Sequence, residues 1–362
     1  MRPAHSEIRS LTGLRGIAAV GVALYHFTSH MTTLGLQPKF HVPGGYLAVD
    51  LFFLISGFVL SYNYVEKFSS IVTMSSYFGF YAQRIARIYP AFLFFCLLYL
   101  LKMTVNVSGD MPIEKFKLYD YAGNIFMLNG LGLNVVPLIP PSWSVSAEMF
   151  CYFLFPFIIF MINKKKASQL VLAATAMASL LLAVHFGHGA KGSLDVVSQG
   201  SQWSLLRALA GFTLGTLIYP LWARHYEMMT KYADIGLVIA VTGFLVTTAY
   251  GLDDIFKYPF LALCVQNLAS GTKIGYIILE NRIVYYLGEI SYSIYLGHAL
   301  IMGVTLRFIE KMLSKGLSVN WWVELACYIA LIIMLSAISY PIFEVRAKRA
   351  LSRALVPLAE HL

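Results

Sequence analysis

Residues 11–27 read "LTGLRGIAAVGVALYHF", a membrane-spanning run interrupted by two ionisable side chains, Arg15 and His26. In lipid every backbone polar group must be satisfied within the segment, so a run of this composition is read as a helix. An ionisable side chain at membrane depth costs roughly 2.5–3.5 kcal/mol on insertion scales, and two on one helix require a function or a partner. The eleven-residue separation is about three helical turns, which sets the pair on one face roughly 16 Å apart.

The rest of the chain places this helix in a bundle. Apolar residues make up 58% of the 362 and charged residues 12%, against about 25% charged in a soluble globular chain. The expected fold is all-α, a polytopic membrane bundle whose partners include lipid. A net charge of +9 has no soluble basic face to occupy, so it speaks for membrane topology and against nucleic acid.

Runs of spanning length fall at about 11–31, 45–64, 84–104, 143–162, 168–186, 203–221, 233–250, 255–270, 290–310 and 321–343, ten helices in all. The stretch 105–142 contains "YAGNIFMLNGLGLNVVPLIPP", broken by Gly, Asn and Pro, and reads as an external loop with short or re-entrant helices. With the N-terminus inside, inner segments carry sixteen Lys and Arg and outer segments eight, while Arg15, Arg207 and Arg307 lie within spans. That asymmetry favours ten spans with both termini cytoplasmic. Only Arg2 and Arg9 precede the first span and no small-residue cleavage site follows it, so it is expected to be retained. The chain divides into a membrane domain, 1–343, and a basic tail, 344–362, either an amphipathic helix on the inner leaflet or a frayed end. The four cysteines sit in apolar runs and read as small buried hydrophobes. His185 and His188 have no third ligand at a suitable spacing, so no metal is expected.

Ionisable residues within the spans carry the chemistry. His26, Asp50 and Glu148 fall at matching depth on three helices, and facing lipid is disfavoured for each. A histidine beside a carboxylate is a general-base arrangement, the alternative being a buried histidine satisfied by interhelical hydrogen bonds. Toward the inner side, "YAQRIARIYP" puts Arg84 and Arg87 three apart on one helix face, near the level of Arg15. Guanidinium forks suit a phosphorylated ligand, and plain positive-inside anchoring is the competing reading. Trp143 and Arg207 read as interface anchors or as contacts to a polar acceptor. His298 reads as a packing hydrogen bond or as chemistry. From these residues alone two classes stay open, an acyltransferase and a secondary transporter or lipid-linked-glycan translocator with a His/carboxylate proton relay.

Five segments in chain order, "LTGLRGIAAVGVALYHF", "GGYLAVDLFFLISGFVLS", "QRIARIYP", "PPSWSVSAEMFCYFLFP" and "GEISYSIYLGHALI", resemble the acyltransferase-3 family of bacterial membrane O-acyltransferases. The resemblance implies transfer of an acyl group, commonly acetyl, from cytoplasmic acyl-CoA to a hydroxyl of an envelope or exported glycan. It implies a multi-pass protein of the bacterial inner membrane, with acyl-CoA as donor substrate and no bound cofactor. The family's Arg-then-His pair falls on Arg15 and His26, its Arg-x-x-Arg motif on Arg84 and Arg87, and its aspartate on Asp50. Its Trp-Ser-…-Glu stretch falls on Trp143, Ser144 and Glu148, although this chain has Val-Ser-Ala-Glu where many members have Leu-Ser-Val-Glu-like text. An extended phosphopantetheine arm is of the same length as the Arg15-to-His26 rise of about 1.5 Å per residue. Phosphates held by the arginines would therefore let a thioester reach His26.

Overall fold

The computed structural model describes residues 7–105, 115–196 and 201–360. Arg2 of the charge count, residues 106–114 of the expected external loop and the last two residues of the tail lie outside them. The described residues form helices joined by loops and turns, with no strand among them. The helices are α1 (Arg9–Thr33), α2 (Ala48–Phe68), α3 (Met74–Thr104), α4 (Leu118–Ile125), α5 (Ser142–Lys164), α6 (Lys166–Phe186) and α7 (Gln202–Arg224). They continue as α8 (Tyr226–Ala249), α9 (Asp254–Ala269), α10 (Lys273–Leu279), α11 (Arg282–Glu289), α12 (Ser291–Ser314), α13 (Trp321–Ser339) and α14 (Lys348–Glu360). A π-helical turn, Tyr340–Ala347, carries α13 into α14.

Among the described residues eight segments are long and apolar enough to cross a membrane: α2, α3, α5, α6, α7, α8, α12 and the continuous stretch from α13 into α14. The other two of the ten expected runs are also helical. α1 is 25 residues long but carries Arg15 and His26, and α9 is apolar but only 16 residues long. The protein is a multi-pass membrane bundle. The peripheral helices α6 and α8 turn Leu170, Leu181, Ile235 and Leu245 outward, between 49% and 72% exposed. An apolar belt of this extent needs lipid to cover it.

In lipid, helices associate through close packing and polar contacts more than through the hydrophobic effect. The α2–α7 pair shows both. A Cβ on Gly57 would lie 2.1 Å from the Phe212 carbonyl oxygen, and one on Gly215 would lie 2.2 Å from that of Leu54. The glycines let the two backbones touch. α1 runs through the middle of the bundle, against α2, α11 and α12.

The segment between α3 and α5 folds as the expected short-helix loop. The Asp120 carboxylate accepts from the Lys117 and Val136 amides at 2.9 Å each, and Asn124 bonds the Val136 carbonyl and the Leu138 amide. These bonds pin α4 to the chain that enters α5. The tail is helical: α14 packs along α3, and the π-turn ahead of it faces the bundle. Of the cysteines, Cys96 and Cys151 are buried and Cys264 partly so, whereas Cys327 is exposed on the outer face of α13.

Candidate active site

A cavity of about 510 Å³ lies between α1, α2, α3, α5 and α12, with the π-turn forming one wall. Its volume falls in the range of roughly 300–1,000 Å³ typical of small-molecule sites. Arg15, Arg84, Arg87 and Lys348 all line it, together with Glu7, Glu148, Glu289 and Glu344. The three arginines expected to act together are thus gathered from two helices that are distant in sequence.

Local structure explains where the α3 arginines point. Thr73 and Ser76 form a reciprocal capping box, each side chain accepting from the other's backbone amide at 3.1–3.2 Å, which fixes the start of α3. Because α3 begins at Met74, Arg84 and Arg87 lie well inside the helix and not at its entrance as the hydropathy pattern suggests. Arg84 donates to the Tyr64 hydroxyl at 3.1 Å, and its guanidinium sits 5.4 Å and 5.6 Å from the Tyr64 and Phe80 ring centres. Its Nε is buried with no hydrogen-bond partner among the described residues. Arg15 and Arg87 make neither a hydrogen bond nor an ion pair among those residues.

The carboxylates of the cavity are held by hydroxyls. Tyr152 donates to Glu148 at 2.6 Å and lies 3.0 Å from the Ser56 hydroxyl. Ser293 donates to Glu344 at 2.6 Å and accepts from Ser339 at 2.8 Å. Guanidinium donors thus face this cavity without an ion-pair partner in direct contact, and an anion there would remove an electrostatic cost.

At the other end, Ser144 and Tyr295 close the cavity with a hydroxyl–hydroxyl bond of 2.7 Å. Behind Tyr295 stand the histidines. The Tyr295 ring centre lies 5.7 Å from that of His298, which is 99% buried and stacks on His26 at 5.3 Å with the rings 19° from parallel. His298 Nδ1 lies 2.6 Å from the Tyr295 carbonyl oxygen. A carbonyl can only accept, so Nδ1 carries the hydrogen and Nε2 keeps the free lone pair. Tyr328, stacked on Phe27 at 4.7 Å, donates to the carbonyls of Ala23 and His298 and locks α13 to both histidine helices.

The expected meeting of His26, Asp50 and Glu148 does not occur. Glu148 joins the arginine cavity, and His26 contacts histidines and Tyr25. Asp50 faces α7: Arg207 Nε donates to its two oxygens at 3.0 Å and 3.1 Å, and a terminal nitrogen donates to Oδ2 at 2.5 Å and to the Tyr46 carbonyl at 2.9 Å. Both side chains of this pair are at most 1% exposed. Arg207 is therefore no interface anchor. Nor is Trp143, which is buried with its ring centre 5.6 Å from the Arg207 guanidinium carbon. Equal depth on neighbouring helices does not make side chains face one another, because each residue turns the helix by about 100°.

A sequence profile of the acyltransferase-3 family, described as an acyltransferase domain, matches residues 8–341. The chain belongs to the acyltransferase-3 family. This is a family of acyltransferase enzymes, and the match takes in every helix of the bundle except α14. Among curated proteins the chain is similar to the O-acetyltransferase OatA of Staphylococcus aureus, 23% identical over 80% of this chain and 49% of that protein. It is similar to the acyltransferase MdmB of Streptomyces mycarofaciens, 26% identical over 83% of this chain and 81% of that protein. It is also similar to nodulation protein 10 of Rhizobium leguminosarum bv. viciae, 23% identical over 84% and 82%. The chain spans about half the length of the OatA relatives it matches. No solved structure matches.

Three features of the candidate site are not evident from the sequence. Glu344 and Lys348 reach the arginine cavity from a segment that looks like a surface tail, and the π-turn that aims them leaves no sequence signal. The His26–His298 stack joins two histidines that sequence separation hides, although both sit mid-span. The Asp50–Arg207 pair could have been suspected from one acid and one base within neighbouring spans, because such groups in membranes pair with one another.

Proposed function

We propose that this acyltransferase-3 protein takes an acyl group, most simply acetyl, from cytoplasmic acyl-CoA and passes it to a hydroxyl of an envelope or exported glycan in the bacterial inner membrane. The observation that carries the reading is the arginine cavity: Arg15, Arg84 and Arg87 share it, and none has an ion-pair partner among the described residues. CoA supplies phosphates for these guanidiniums, which bind phosphate oxygens as a fork. Its arm then runs toward Ser144 and Tyr295, bringing the thioester to the histidine pair. There the acceptor hydroxyl oxygen bonds to the acyl carbon as the carbon–sulfur bond breaks. His26 takes the hydroxyl proton and gives it up to the departing CoA thiolate, which leaves as the thiol. Glu148, fixed by Tyr152, balances the arginines without occupying the phosphate positions.

Alanine at both Arg84 and Arg87 is expected to weaken CoA binding by about 100-fold, since each charge-assisted hydrogen bond contributes roughly 1.5–3 kcal/mol. Lysine at either position restores part of the affinity, because it keeps the charge and loses the fork. Equilibrium dialysis with radiolabelled CoA reads both, and an unchanged affinity in the double variant would reduce the pair to topology anchors.

This reading puts the arginine end of the bundle in the cytoplasm. A cysteine at position 165, in the turn between α5 and α6, should then resist a membrane-impermeant maleimide added outside, whereas one at position 115 should react. The opposite pattern inverts the bundle and removes the cytoplasmic donor.

A further inference from the structure

A second cavity of about 490 Å³ lies at the far end of α1, between the chain that enters α2, the 191–193 turn and the α8–α9 connection. We propose that it is the acceptor site and that it takes a neutral, polyhydroxylated sugar ring; this deepens the acyl-transfer reading and rests on it.

Its position relative to His26 is the first argument. Tyr25 and Ser29, immediately before His26 and nearly one turn after it, both line the cavity, and the Tyr25 ring centre is 5.1 Å from that of His26. The first cavity approaches the same histidine pair through Tyr295. The histidine pair thus lies behind one wall residue of each cavity, Tyr295 of the first, which is rich in arginine, and Tyr25 of the second, which has no arginine among its lining residues.

The chemistry of the lining is the second argument. The floor is fixed: the Tyr25 hydroxyl donates to Asp195 at 2.8 Å, and the Tyr46 hydroxyl and Lys257 ammonium donate to Asp254, each at 2.8 Å. Lys257 is thereby neutralised, which leaves one lysine, Lys191, and one carboxylate, Asp253, on the lining. An anionic ring would find no cation in excess. A neutral ring, by contrast, needs donors and acceptors in mixture, and these are unspent. Lys191 uses one contact on Ser29, at 2.5 Å, and keeps further N–H donors. Asp253 Oδ1 accepts from Ser193 and the Ile255 amide, at 2.9 Å and 3.0 Å, leaving Oδ2 open. Thr248 Oγ1 is shielded from solvent and has no hydrogen-bond partner among the described residues. Buried hydroxyls are normally satisfied, and a sugar hydroxyl in this cavity would satisfy this one.

The test is saturation-transfer NMR on the full chain in lipid nanodiscs, titrating maltotriose and, separately, trigalacturonate, with empty nanodiscs as blank and CoA binding measured on the same samples. Maltotriose should bind the wild type and trigalacturonate more weakly. Thr248→Val, Lys191→Ala and Asp253→Asn should each weaken maltotriose by about 3- to 10-fold, the loss of roughly one hydrogen bond, while CoA binding stays within about twofold. Alanine at Arg84 and Arg87 should show the reverse pattern. The assignment is overturned if maltotriose gives no signal above the blank, if the three variants bind it as the wild type does, or if trigalacturonate binds equally well. A wild type that binds maltotriose with this variant pattern but does not bind CoA upholds the sugar site and defeats the donor reading alone.

Discussion

Replacing His26 with Gln is expected to lower acyl transfer by about 10² to 10⁴, the usual contribution of a positioned general base. Gln keeps a hydrogen-bonding side chain of similar reach but has no lone pair that can take and hold a proton at neutral pH. The expectation rests on where His26 stands, between the end of the arginine cavity at Tyr295 and the Tyr25–Ser29 wall of the second cavity. CoA affinity should stay within about twofold, because the arginines lie about three helical turns away. His298→Gln should cost less than His26→Gln: His298 is buried behind Tyr295 and acts by holding the His26 ring through their stack. Turnover by purified His26→Gln above about a tenth of the wild-type rate would exclude a base role, since general-base help is worth at least about a hundredfold.

The second large effect concerns stability. Asp50→Ala should destabilise the bundle by about 3–5 kcal/mol, because it strands Arg207 at 1% exposure with its main partner gone. Arg207→Met should do comparable damage from the other side. Replacing both, as Asp50→Leu with Arg207→Met, should recover most of the loss, since apolar residues of similar volume often substitute for a buried pair without penalty. Unfolding in mixed detergent–SDS micelles measures all three. The double variant also separates scaffold from chemistry. If Asp50 serves only to fasten α2 to α7, the double variant transfers acyl groups at within about tenfold of the wild-type rate. A stable but inactive double variant would return Asp50 to the reacting groups.

The helix inventory was readable from the chain because lipid imposes a length and a composition on each crossing. All ten apolar runs coincide with helices, including α1, whose polar residues hold it below an ordinary spanning standard. The gathering of Arg15, Arg84 and Arg87 was readable for a similar reason: two residues three apart share a face, and a third at the same level faces inward to avoid lipid. What the chain concealed was rotation. Asp50 and Glu148 lie at comparable levels, yet one turns to Arg207 and the other to the arginine cavity, a choice made by the packing of α2 against α7. That packing depends on Gly57 and Gly215 meeting backbone, a contact between residues more than a hundred and fifty positions apart. The packing of the tail against α3 was hidden for another reason. Its basic, amphipathic pattern suits a membrane surface as well as it suits the flank of α3, and only the π-turn decides between them.

The backbone contact between α2 and α7 has a mechanical consequence. Helices that touch at Gly57 and Gly215, and are fastened again by Asp50 and Arg207, cannot slide past one another without breaking a buried pair. The α2 axis is thus a rigid gauge. Tyr46, just ahead of its first turn, borders the second cavity, while Asn63, near its last, borders the first. Their seventeen-position separation corresponds to about 26 Å of helix rise. A gauge of constant length holds the two cavities at a fixed separation, so neither can approach the other unless the buried pair breaks. A spacing of this kind comes from stiffness in a helix that need not touch the reacting atoms.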